Sequence, residues 1–90
     1  MKLFIRTESE TFTARELWVD SMDAFTESKL LDIESSEDGK IDAEAVLACY
    51  SHFYELYGDI RPVLESVSED GRVARIKFIG DDWSIECYLQ

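Results

Sequence analysis

A single proline and four glycines in 90 residues leave no room for a proline- or glycine-rich linker. The chain therefore reads as one domain spanning residues 1–90. Two cysteines, Cys49 and Cys87, are too few and too widely spaced for a disulfide framework or a Cys-x-x-Cys metal site. No stretch approaches the ~18 apolar residues of a membrane span. The run Leu3-Phe4-Ile5 is too short to be the core of a signal peptide. These absences fit a reduced, cytoplasmic protein. Basic residues are also scarce, with 9 Lys and Arg against 20 acids and a net charge of −11. Free nucleic acid and anionic membranes bind through excess Lys and Arg, so both are poor partners for this chain. A basic protein surface is the natural complement. Disorder is excluded in turn, because 46% of the residues are hydrophobic and 12% aromatic.

The order of apolar and polar residues gives an α+β fold. Lys2 to Arg6 reads as a short strand. Thr13-Ala14-Arg15-Glu16 matches a capping box, and Ala14, Leu17, Trp18, Met22 and Phe25 follow at helical spacing, which predicts a first helix over residues 14–28. Residues 30–34 fit either a short strand or the end of that helix. Ser35 to Lys40 is a loop turning at Asp38-Gly39. Asp42 caps a second helix predicted over 43–57, with Gly58 as its stop.

Two apolar stripes adjoin on the second helix. Val46, Cys49, Phe53 and Leu56 form one, and Leu47, Tyr50, Tyr54 and Tyr57 form the other. The last third alternates as an antiparallel meander over 63–68, 73–79 and 83–89. A two-residue turn at Gly80-Asp81 pairs Phe78 with Trp83, Ile76 with Ile85, Ala74 with Cys87 and Arg75 with Glu86. A three-residue loop at Glu69-Asp70-Gly71 brings Glu65 beside Arg75. The expected architecture is an antiparallel sheet of three to four strands, the N-terminal strand included, with two helices packed on one face.

Three patterns bear on function. Glu16, Asp20, Asp23 and Glu27 fall at i, i+4, i+7 and i+11 of the predicted first helix. On a continuous helix they make one uninterrupted row of carboxylates, about 16 Å long. Residues 32–60 carry eight acids against Lys40 alone. Within them, Glu34, Glu37 and Asp38 lie in or beside the loop, away from the helix start that accounts for Asp42 and Glu44. Tyr54 and Tyr57 add aromatic contact surface of the kind enriched in binding hot spots, although such residues also line the rims of cores.

Catalytic and metal-binding patterns are missing. The stretch from Glu34 to Ile41 echoes a calcium loop, but position 12 of that loop is Ala45 and Glu44 stands one residue early. His52 reads as an isolated surface histidine. No nucleophile sits in a known motif, and no glycine-rich phosphate loop is present. Neither cofactor nor metal is expected, and the chain does not read as an enzyme. The reading that remains is an acidic inhibitor of a basic, nucleic-acid-handling protein. Immunity proteins against nuclease toxins, and phage proteins that disarm nucleases or CRISPR complexes, share this size and charge as a class. Its docking residues would be Glu16, Asp20, Asp23, Glu27, Glu34, Glu37 and Asp38, with Tyr54 and Tyr57. The alternative is a non-catalytic adaptor or structural subunit, monomeric or homodimeric, associating through the tyrosine face of the second helix.

Overall fold

A computed structural model describes residues 1–55 and 58–90. The elements run β1 (Leu3–Arg6), β2 (Thr11–Thr13), α1 (Ala14–Leu17), α2 (Ala24–Glu34), α3 (Ala43–Phe53), β3 (Arg61–Val67), β4 (Val73–Ile79) and β5 (Trp83–Leu89). A 3₁₀ turn at Val19–Ser21 separates α1 from α2. The five strands form one antiparallel sheet in the order β2-β1-β5-β4-β3, and α2 and α3 pack on one face of it. This is the expected α+β architecture, with one strand more. That extra strand, β2, is three residues long and pairs Phe12 with Ile5.

The meander keeps the expected register between β4 and β5, whereas the β3–β4 connection is longer than the expected three residues and sets Ser66, not Glu65, opposite Arg75. Phe78 faces Trp83, Ile76 faces Ile85, Ala74 faces Cys87 and Arg75 faces Glu86. Alternation makes this register self-enforcing, because a one-residue slip would turn buried Ala74, Ile76 and Phe78 out to water. The connecting turn is longer than the predicted two residues, running from Gly80 to Asp82, with Asp82 itself at φ 53°. Gly80 sits at φ 103°, and a Cβ there would collide with the Asp59 carbonyl oxygen. Only glycine meets both conditions. Between β3 and β4 the register shifts at Glu65, and the bulge brings its carboxylate to 3.0 Å from Arg75 Nε.

The first helix departs from expectation. Residues 14–28 form two helices with the 3₁₀ turn between them. The Thr13–Glu16 capping box is present and starts α1, which ends after one turn. Trp18 then drops beneath α3, only 2% exposed, and its indole N–H donates to the Tyr50 hydroxyl at 3.2 Å. Asp23 caps a fresh helix by accepting the Thr26 N–H at 2.9 Å. Restarting the helix changes its inward face to Thr26, Leu30 and Ile33, and leaves Phe25 42% exposed. Residues 30–34 are the second half of α2.

Asp42 caps α3 as expected, accepting the Ala45 N–H at 3.1 Å. That helix ends at Phe53, short of the predicted residue 57, as Tyr54 leaves helical geometry and sets its ring on Phe78. The predicted residues Leu56 and Tyr57 lie outside those described. The core between the layers is Leu3, Ile5, Ala14, Trp18, Leu30, Ile33, Val46, Cys49, Tyr50, Ala74, Ile76, Phe78, Ile85 and Cys87. No helix among the described residues is long and apolar enough to cross a membrane.

Candidate protein-docking surface

The broken helix dissolves the continuous row of carboxylates. Glu16 lies on α1, Asp20 on the 3₁₀ turn, Asp23 at the cap and Glu27 in the first turn of α2. Two of these four are committed to local structure. Glu16 Oε2 accepts the Thr13 N–H at 3.1 Å, closing the capping box. Asp23 caps α2 with Oδ1, while its Oδ2 lies 2.6 Å from His52 Nε2. The Thr26 N–H, followed by the His52 contact, holds the Asp23 carboxyl down at about 2, from an ordinary 3.8.

Two of the three loop acids are committed as well. Glu34 is the least exposed, with 13% of its side chain in water. Its Oε2 accepts the Leu3 N–H at 2.7 Å, and its Oε1 lies 3.2 Å from Arg15. Asp38 folds back on its own loop, where Oδ1 accepts the Lys40 N–H and the Ser36 hydroxyl, both at 2.9 Å. The Lys40 N–H, then the Ser36 hydroxyl, lower its pKa. Among the described residues no group of three or more histidines, cysteines or acids converges as metal ligands would.

Asp20, Glu27 and Glu37 point to water and form no ion pair among the described residues. Asp32 and Glu44, not among the predicted docking residues, share that condition. Tyr54 is half-buried, its ring 5.6 Å from Phe78. Tyr50 is 6% exposed, and burial raises its pKa far above the phenol range. Tyr57 lies outside the described residues. His52 is not isolated: besides Asp23, it has Glu55 at 3.8 Å and the Phe25 ring at 4.6 Å. Four large apolar side chains on the same stretch are exposed and escaped the sequence reading: Leu17 at 42%, Val19 at 66%, Phe25 at 42% and Leu31 at 56%. The helical period that runs unbroken through residue 25 points Phe25 and Leu17 inward, and the break in the helix turns them out.

Charge is divided between the two faces. Residues 14–44, which build α1, α2 and the entry to α3, hold ten acids against Arg15, Lys29 and Lys40. The bare face of the sheet carries Arg6, Arg61, Arg75 and Lys77 with Glu65 and Glu86. Glu86 bridges Arg6 at 3.0 Å and Arg75 at 3.8 Å, so much of this basic charge is matched in place. A groove of about 550 Å³ opens over that network, walled by Thr7, Glu8, Ser9 and Asp82. Its lining contains neither histidine nor cysteine. Both thiols are in the core, where burial lifts Cys49 to about 11 and Cys87 to about 12. At neutral pH they are protonated and unreactive.

Comparison with protein families, with curated proteins and with solved structures finds no match.

Proposed function

We propose that this chain is a non-catalytic, acidic binding protein that occupies the basic nucleic-acid-handling surface of a partner protein, as an immunity protein or a phage anti-defence inhibitor does. The observation that carries this reading is the group of exposed carboxylates Asp20, Glu27, Asp32, Glu37 and Glu44, none in an ion pair among the described residues. They crowd one stretch of a chain whose net charge is −11. Such crowding costs stability through self-repulsion, and a cationic partner relieves it. The opposing fields also speed encounter. Two buried thiols and no strained or exposed cysteine suit a reducing, cytoplasmic setting.

The test is charge reversal confined to carboxylates without a structural task. Asp20, Glu27, Asp32 and Glu37 changed together to Lys should leave the circular dichroism spectrum intact. Affinity for a partner captured from the native host should fall at least about tenfold, with most of the loss at low salt. Binding that is insensitive to salt and survives the reversal defeats the proposal. If that binding instead breaks in Tyr54→Ala, the adaptor role takes its place.

A further inference from the structure

The exposed apolar side chains on the acidic stretch have a use that charge alone does not supply. Among the described residues Val19 is the most exposed large apolar one, on a 3₁₀ turn whose neighbour Trp18 is locked into the core by its bond to Tyr50. Phe25 has the His52 ring 4.6 Å away and the Lys29 ammonium 5.7 Å from its ring centroid. Both are therefore displayed by a fixed local framework, and fixing them on binding costs little entropy. On α2, Leu31 stands two turns from Ala24 on the outward side, and Asp32 two turns from Phe25, with Glu27 and Ser28 between. Apolar and acidic groups thus alternate across one outward helix face, and the turn bearing Val19 and Asp20 leads into it. A surface of this kind offers a partner apolar area to bury and charges that fix its register.

We infer that this face is an anchored docking surface for a basic amphipathic segment of a partner protein, one that presents apolar side chains flanked by Lys or Arg. Val19, Phe25 and Leu31 enter the partner's apolar positions, and Asp20, Glu27 and Asp32 meet its cations. The inference rests on the proposed acidic binding role, and narrows the partner from any cationic groove to one with apolar residues at its centre.

Two probes separate the parts: a synthetic amphipathic Leu/Lys helical peptide, and poly-lysine of equal charge with no apolar side chain. The wild-type chain should bind the amphipathic peptide about tenfold more tightly than poly-lysine, and that ratio should persist as salt weakens both. The double variant Val19→Ser, Leu31→Ser should lose this advantage and bind poly-lysine unchanged. Val67→Ser removes an apolar group 43% exposed on β3 and should change neither. Equal binding of both probes, or no effect of the double variant, overturns the anchors and leaves the acidic role standing. An equal loss in Val67→Ser overturns the location. If Asp20→Lys, Glu27→Lys, Asp32→Lys binds both probes as the wild type does, the acidic role falls and the anchored surface with it.

Discussion

Asp23 joins two helices with one carboxylate. Oδ1 completes the first turn of α2, and Oδ2 reaches His52 near the end of α3. The folded protein holds this group at about 2, against 3.8 for a free side chain. A depressed carboxyl stabilises the fold wherever it is ionised in both states, above the unfolded value. That contribution is lost as pH falls through the interval between 3.8 and about 2. Asp23→Asn keeps an oxygen for the Thr26 N–H and removes the titration. The urea midpoint of the wild type should therefore fall more steeply with pH across that interval than the variant's. Parallel slopes would show that the capping bond is worth the same to the neutral and the charged group.

At the scale of elements, Glu34 ties α2 to the sheet. β2 ends at Thr13, opposite Phe4, so the Leu3 N–H projects past the end of its neighbouring strand. Glu34 supplies the missing acceptor at 2.7 Å. Glu34→Ala should orphan a donor on a fully buried residue and cost about 1–3 kcal/mol in urea unfolding. Glu34→Gln keeps an acceptor and gives up the ion pair to half-exposed Arg15, a loss of under about 1 kcal/mol. Equal losses in both variants would show that the ion pair, and not the strand end, is what matters. The meander was legible because its alternation and its cross-strand charge pairs constrain one another: Arg75 opposite Glu86 and Ile76 opposite Ile85 permit a single register. The start of α3 was legible from Asp42, which can cap only one way. The break before α2 was not, since Leu17, Trp18, Met22 and Phe25 keep a helical period across it. Its one local sign is Asp23, a capping residue with Glu27 in the turn behind it, hidden inside that period. β2 is too short for alternation to register. Of the docking acids, the sequence located their concentration and not their employment. Whether a carboxylate is free depends on which N–H it meets, and for Glu34 that N–H is 31 residues away.

For the whole molecule, the division of charge sets an orientation. In the proposed role a cationic partner meets the acidic helical layer first, while the sheet face keeps its Arg–Glu network among its own residues. The order of strands has a different consequence, for the time the molecule takes to assemble. β5 lies between β4 and β1, so one of its edges belongs to a local hairpin and the other to the opposite end of the chain. Pairing Ile5 with Cys87 closes a loop of roughly 80 residues, which costs about 2.5 kcal/mol more in chain entropy than closing a five-residue one. Lys2 and Gln90 exchange backbone hydrogen bonds of 2.9 and 3.0 Å, so the two ends already touch. A circular permutant joined there by a short Gly/Ser linker, and opened in the loop between α2 and α3, turns that distant pairing into a hairpin. Stopped-flow refolding of the permutant should be faster than that of the parent, with unfolding little changed. Equal refolding rates would mean that the parent crosses its barrier before β1 and β5 have met.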